Sequence, residues 1–185
     1  MKMKLIALAC LLFYGIAAQA QTLAVNETDP ATGNKLIKTS NLHGAEHDLD
    51  DSVVKSGVVF FSAGYQLTNP TQNPLETYYI DLNIVHNDNR LGCLEQLKSH
   101  IILTLDDGSA IECFQISDTD CDPNAYYASF ALMPKGGNAA MMKQNFEKLI
   151  HTPIIRIEVV TSETKVVYKV KKGSMDYLKQ HFALI

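Results

Sequence analysis

The sequence has no cluster of basic residues. Its 16 Lys and Arg are outnumbered by 20 Asp and Glu, which gives a formal net charge of −4 at pH 7. Nucleic acids and anionic membrane surfaces are bound mainly through concentrated positive charge. We therefore expect no nucleic acid partner and no attraction to an anionic membrane face.

Apolar runs long enough to cross a bilayer are also missing beyond the first twenty residues. These twenty residues have the parts of a secretory signal: the charges of Lys2 and Lys4, an apolar run over 5–18 and a small-x-small cleavage site at 18–20. Cleavage removes both lysines, so the net charge becomes −6. We expect a secreted or periplasmic protein that begins at Gln21 and has no membrane span; an uncleaved anchor is the alternative.

Cysteine is scarce. The signal contains Cys10 and the rest of the chain keeps three, so at most one internal disulfide can form. Cys113 points into the apolar face of a predicted strand and should behave as a small core residue. Cys93 and Cys121 lie in loops at the same end of the predicted hairpin over 101–116 and are the favoured pair. The alternatives are no disulfide or one that uses Cys113.

Repeats and low-complexity blocks are absent, and the length suits one domain. Residues 21–40 are polar, contain two turn-forming dipeptides and show no period, which predicts a flexible arm. The single domain is therefore expected over 41–185. Its first segment, 41–52, is acidic with apolar residues at helical spacing, which predicts one short helix.

After residue 52 the chain becomes rich in β-branched and aromatic residues, which is typical of strands. Strands are predicted at 53–67, 76–86 and 126–133, and hairpins at 101–116 and 153–171. In the first hairpin, a turn at 106–108 pairs Leu103 with Ile111 and Ile101 with Cys113. In the second, a turn at Ser162-Glu163 pairs Val159 with Val166 and Ile157 with Tyr168. Both registers place apolar side chains together on one face.

Two amphipathic helices are predicted, at about 138–150 and 175–184, with Asn138 and Ser174 as their N-caps. Consecutive hairpins favour antiparallel pairing, and the apolar stripes of the helices must cover a sheet face or the end of a sandwich. The sequence therefore predicts an α+β, β-rich fold, with a mainly antiparallel sheet or sandwich and two helices packed against it.

The stretches HIILTLDDGSAIECF, YYASFAL and FEKLIHTPIIRIEV give residues 99–182 a recognisable pattern. Its motifs are Asp107-Gly108-Ser109 in the hairpin and Ile155-Arg156-Ile157 in the late strand. This region resembles a β-rich domain that recurs in secreted or periplasmic bacterial proteins of unknown function. The resemblance implies export and a similar architecture, and it implies no active residues.

Residues 43–47 read HGAEH, the His-x-x-Glu-His pattern with which inverzincin metalloproteases hold zinc. His43 and His47 would have to lie one helical turn apart, with Glu46 placed to activate water. Gly44 weakens such a helix by about 1 kcal/mol relative to Ala, and a catalytic zinc needs a third ligand. Surface histidines are the favoured interpretation. A weak zinc or copper site and a metallohydrolase are the alternatives.

Four oxygen-bearing side chains alternate like the start of a calcium-binding loop: Asp118, Asp120, Asp122 and Asn124. Pro123 stands where such a loop needs glycine, and Ser129 stands where it needs glutamate. A polar turn held by Asp-to-backbone hydrogen bonds is therefore favoured. Weak calcium binding by Asp118, Asp120 and Asp122 is the alternative.

Two tyrosine pairs, 78–79 and 126–127, each direct one ring inward and one outward in the predicted strands. The outward pair, Tyr79 and Tyr127, would form a stacking platform for a sugar or a peptide. Two ordinary exposed tyrosines are the alternative.

No set of catalytic residues converges in the sequence. We therefore expect a secreted, non-catalytic binding or envelope-associated module whose partner is a protein or a carbohydrate. The first alternative is a metal-dependent hydrolase that uses His43, Glu46 and His47. The second is an inhibitor or accessory subunit that docks by a strand edge. No cofactor is expected apart from weakly bound zinc or calcium.

Overall fold

The computed structural model describes residues 22–40, 47–49, 58–85, 91–122 and 125–185. Its elements are β1 (Leu23–Thr28), β2 (Lys35–Thr39), β3 (His47–Leu49), β4 (Val58–Thr68), β5 (Leu75–Val85), β6 (His100–Leu105), β7 (Ala110–Gln115), β8 (Tyr126–Ala131), α1 (Ala139–His151), β9 (Ile154–Val160), β10 (Lys165–Val170) and α2 (Tyr177–Phe182). The described strands form one sheet in the order β1-β2-β4-β5-β8-β7-β6-β9-β10-β3. All pairs are antiparallel. The predicted β-rich α+β fold is confirmed.

The prediction of a flexible arm over 21–40 is wrong. Residues 23–39 form the hairpin β1-β2, and β2 continues the sheet by pairing with β4. The dipeptides that suggested an arm make the hairpin turn, where Gly33 has φ of 73° and Asp29 accepts a hydrogen bond from the Ala31 N–H. An outer strand keeps most of its side chains in solvent, so its composition is polar.

The prediction of a short helix over 41–52 is wrong where the structure describes it. His47–Leu49 is the strand β3, which pairs with β10, the last strand in the chain. Tyr168 lies opposite Leu49 and Val170 lies opposite His47. Three residues are too few for an alternating pattern to emerge in the sequence. Pairing with a strand more than a hundred residues away decides their conformation.

Both predicted hairpin registers are confirmed. Leu103 lies opposite Ile111 in the first hairpin, and Val159 lies opposite Val166 in the second. Gly108 has φ of 80°, as the turn of the first hairpin requires. A slip of one residue would move each apolar row to the other face, so burial of one face fixes the register.

The core lies between the apolar face of the central strands and the two helices. Ile80, Leu82 and Ile84 of β5 are fully buried on this face, and burial of each contributes about 2 kcal/mol. Phe146 of α1 stacks on Tyr78 of β5 with ring centroids 4.3 Å apart. The helices therefore cover the side of the sheet to which Tyr78 and Ile80 point.

The two helix starts differ in how well the sequence predicts them. Asn138 caps α1 by accepting a hydrogen bond from the Met141 N–H, as expected. The Ser174 cap is wrong, because residues 172–174 form a single 3-10 turn and α2 begins only after Asp176. This short helix is held by its contacts with the sheet, where Leu178 and Phe182 are buried.

Candidate functional site

The two faces of β5 carry different chemistry. Ile80, Leu82 and Ile84 face the helices, so Tyr79, Asp81 and Asn83 face the opposite side of the sheet. The sequence predicts that this opposite side is solvated. In the structure, however, Tyr79 is 8% exposed and Asp81 is 2% exposed. Polar groups are therefore buried at the centre of the sheet, away from the helices.

Strand register gathers six residues on this side, which we call the polar cluster: Lys38, Ser62, Asp81, Asn83, Tyr127 and Ser129. Ser62, Asp81 and Ser129 form one row across β4, β5 and β8. Asn83 and Tyr127 belong to the next row, and Lys38 enters from β2. The six come from four strands, so no local motif announces them.

An ion pair between the buried Asp81 and the partly buried Lys38 holds the polar cluster together. Asp81 accepts a hydrogen bond from the Ser129 hydroxyl through Oδ1 and contacts the Lys38 ammonium through Oδ2. A carboxylate buried without such partners would be strongly destabilising. Burial alone lowers the pKa of Lys38, but its hydrogen bonds to Asp81 and Tyr127 outweigh that effect and the net direction is upward. Lys38 is therefore a cation at neutral pH.

Tyr127 is fixed by the same lysine. The Lys38 ammonium donates a hydrogen bond to Tyr127 Oη over 2.9 Å and lies 5.3 Å from the centre of its ring. The backbone N–H of Tyr127 donates to Asp120 Oδ2 over 2.8 Å. The ring is nevertheless 41% exposed. Tyr127 thus presents an aromatic surface in a fixed position, which an isolated surface tyrosine does not.

The predicted pairing of Tyr79 with Tyr127 as a stacking platform is wrong for Tyr79. Both side chains are on the face opposite the helices, but the Tyr79 ring lies over Gly64, where an added Cβ would be 2.1 Å from Tyr79 Cζ. Its burial raises the pKa of the phenol to about 12. Tyr79 fills space on this face, and of the two predicted tyrosines only Tyr127 remains available for stacking.

The polar cluster lacks the hydrogen-bond pattern of an activated serine. Ser129 donates to Asp81, which is itself paired with Lys38, whereas nucleophilic serines are typically activated by a histidine or an amine. Lys38 cannot be that amine, because its ion pair keeps it protonated. Within the polar cluster, Ser62 Oγ and Asn83 Oδ1 are buried without a hydrogen-bond partner, whereas Asp81 Oδ2 is paired with the Lys38 ammonium. Such unpaired atoms destabilise the free protein by about 1–3 kcal/mol each.

The favoured disulfide between Cys93 and Cys121 is confirmed. It joins the loop before β6 to the loop after β7, beside a two-way backbone bridge between Leu94 and Asp120. Cys113 is fully buried with a free thiol, whose pKa is raised by that burial. Cys113 is therefore a core residue, as predicted, and not a nucleophile.

Asp120 belongs to a polar turn. Its Oδ1 accepts from the Asp122 N–H over 2.9 Å and its Oδ2 accepts from Tyr127, so both oxygens are engaged with the backbone. Asp118 is exposed and holds Gln115 through its backbone carbonyl. Within the described residues, no group of three or more His, Cys, Asp or Glu side chains is placed to hold a metal ion.

The zinc hypothesis stays a prediction. His43 and Glu46 lie outside the described residues, as does the side chain of His47.

In the parts of the chain that are described, no helix has the length and apolar character to cross a membrane. Comparison with protein-family models, curated proteins and solved structures found no match. The resemblance of residues 99–182 to a recurring exported domain likewise stays a prediction.

Sequence reasoning missed most of the polar cluster. Lys38 was assigned to the arm, and Ser62 and Ser129 carry no distinguishing pattern. One signal was present: Asp81 is a charged residue at the middle of an eleven-residue strand. Charged residues at such positions are rarely buried without a partner, so Asp81 could have prompted a search for a lysine on a neighbouring strand.

Proposed function

We propose that the protein is an exported, non-catalytic binding module that holds its ligand at the polar cluster. One observation carries the proposal: the exposed ring of Tyr127 is held in place by the partly buried ion pair Lys38–Asp81, on the side of the sheet opposite the helices. A rigid aromatic group among polar atoms supplies both contact area and orientation, at little cost in side-chain entropy.

Two further features support export. The first twenty residues have the pattern of a secretory signal. The disulfide between Cys93 and Cys121 belongs to a kind of bond that forms and persists in oxidising compartments. A chain of this size can bury a core of its own, so the disulfide supports a location outside the cytosol more than a need for covalent stabilisation.

The binding proposal is tested by nuclear magnetic resonance titration with two probe sets, neutral disaccharides and uncharged tripeptides. We expect at least one probe to shift the resonances of Tyr127 and Ser129. Tyr127→Ala should weaken binding of that probe at least tenfold, whereas Leu75→Ala should leave its affinity unchanged. Leu75 is 56% exposed and lies on the same strand as Asp81. Binding that survives Tyr127→Ala at full strength would place the ligand elsewhere.

The strand β1 supports a second candidate, an inhibitor or accessory subunit that adds a partner strand to the sheet. Within the described residues β1 pairs only with β2, and its side chains are almost all exposed. An outer strand with unpaired backbone groups can accept an extended segment. If this candidate is correct, proline at a β1 residue whose N–H points outward should abolish partner binding. Tyr127→Ala should leave partner binding unchanged.

A further inference from the structure

We infer that the ligand of the polar cluster is an uncharged saccharide that lies across β4, β5 and β8, over Phe60, Asn83 and Tyr127. The inference rests on the proposed function and narrows it to one class of ligand. Three kinds of observation support it: the spacing of two aromatic residues, the chemistry of the unpaired polar atoms and the charge of the cluster.

The spacing comes from strand register. Phe60 lies opposite Asn83, and Asn83 lies opposite Tyr127, so the three share one row on the same face. Adjacent strands are about 4.8 Å apart, which places the first and third members of the row about 10 Å from each other. Phe60 is half-buried and Tyr127 is 41% exposed. Two aromatic groups with an amide between them match the length of a disaccharide.

The unpaired polar atoms match hydroxyl groups. Asn83 Oδ1 has no hydrogen-bond donor, and Asn83 is only half-buried between Phe60 and Tyr127. Tyr127 Oη accepts from Lys38, which leaves its own proton for a ligand. A sugar hydroxyl is donor and acceptor at once, and the C–H face of a sugar ring stacks on an aromatic ring. A saccharide can therefore supply both the hydrogen bonds and the stacking that this row of residues offers.

The charge of the cluster disfavours an ionic ligand. Lys38 and Asp81 contact each other directly, so their charges cancel. A charged ligand would lose part of its hydration in order to bind, and it would find no net opposite charge in the cluster. A neutral ligand loses less hydration and keeps the stacking and hydrogen bonds.

An extended peptide is disfavoured by the position of the row. Strand addition needs a sheet edge with unpaired backbone groups. β4, β5 and β8 are interior strands, each paired on both sides. A peptide could not pair with the backbone of these strands and could contact only their side chains. A saccharide binds through side-chain contacts alone.

The test compares disaccharides of one linkage that differ in charge: cellobiose and N,N′-diacetylchitobiose as neutral probes, chitobiose as the cation and the corresponding diuronic acid as the anion. Affinities are measured by calorimetry. We expect a neutral probe to bind at least tenfold more tightly than either charged probe. Tyr127→Ala and Phe60→Ala should each weaken it at least tenfold.

Two further variants separate binding from folding. Tyr127→Phe retains the ring and removes the hydroxyl, so it should bind more tightly than Tyr127→Ala. Leu75→Ala, on the same strand and face as Asn83, should bind like the unmodified protein. Since Tyr127 is 41% exposed, its variants should stay folded, and loss of the hydrogen bond to Lys38 should lower the thermal midpoint only slightly.

Several outcomes overturn the inference. Tighter binding of either charged probe, full affinity in Tyr127→Ala, or no binding of any saccharide would each do so. If tripeptides shift the Tyr127 resonances and saccharides do not, the saccharide inference fails and the proposed binding function stands. If neither probe set reaches Tyr127, both fail.

Discussion

At the scale of single residues, His181 shows how burial sets the chemistry of a side chain. It is fully buried in α2, and its Nδ1 lies 2.5 Å from Thr39 Oγ1. Thr39 Oγ1 also accepts from the Ala63 N–H and lies 3.2 Å from the Ala63 carbonyl. The consistent pattern is that Nδ1–H donates to Thr39, whose own proton goes to Ala63. His181 Nε2 then stays unprotonated and without a partner among the described residues.

The same burial makes stability depend on pH. Desolvation lowers the pKa of His181 to about 4, from 6.5. Between these values the unfolded chain binds a proton that the folded chain does not, so the free energy of unfolding falls as the pH drops from 6.5 towards 4. The loss is up to about 3 kcal/mol. Urea unfolding at pH 7 and pH 5 should show a smaller drop in His181→Gln than in the parent.

The exposed His151 provides the control for this prediction. His151→Gln should lose as much stability as the parent over the same pH range. Equal losses in His181→Gln and the parent would assign the acid sensitivity to other groups.

Gly64 shows how a missing side chain can position an aromatic ring. A Cβ at this position would be 2.1 Å from Tyr79 Cζ, whereas a Cβ at Gly173 would meet nothing within 4 Å. Gly64→Ala should therefore displace the Tyr79 ring and lower the free energy of unfolding by about 1–3 kcal/mol. Gly173→Ala should be close to neutral. Thermal or urea unfolding measures both variants. An unchanged free energy of unfolding in Gly64→Ala would contradict the close packing of Tyr79 on Gly64.

At the scale of elements, β1 tests the assignment of residues 22–40 to the sheet. The Asp29 N–H donates to the Asn34 carbonyl, and antiparallel pairs alternate from there. Glu27, opposite Leu36, therefore bonds to β2, whereas the Asn26 N–H points away from it. A proline removes a backbone donor, so Glu27→Pro should destabilise the protein more than Asn26→Pro.

Urea unfolding of the two proline variants separates a paired hairpin from a flexible arm. If residues 22–40 were an arm, both variants would have the stability of the parent. A paired hairpin predicts a loss of about 1–3 kcal/mol for Glu27→Pro, since a hydrogen bond is lost and a carbonyl is left without its donor.

At the scale of the whole molecule, the disulfide limits the freedom of the unfolded chain. Cys93 and Cys121 are 28 residues apart, and closing a loop of that length contributes roughly 3.5 kcal/mol in the chain-entropy description. The double variant Cys93→Ser with Cys121→Ser should lose about this much in urea unfolding. Cys113→Ala leaves the disulfide intact and serves as the control for replacing a cysteine that forms no disulfide. Unchanged stability in the double variant would contradict the prediction.

The sequence by itself determined the features that depend on nearby residues. The two hairpin registers, the cap of α1 and the buried Cys113 were predicted correctly, and the disulfide followed from the register of the first hairpin, which brings its two loops to the same end. Alternation in a strand and capping in a helix act over a few positions, so they are visible in a short stretch of sequence.

Only the tertiary structure decided the order of the strands, the place of the first hairpin and the polar cluster. Lys38 reaches Asp81 across an intervening strand, and Thr39 contacts His181 over 142 positions. Such contacts leave no periodic trace, because each partner looks like an ordinary polar residue in its own segment. The physical reason is that strand pairing fixes a row of side chains from several strands at once, and a row is a property of the sheet and not of any one strand.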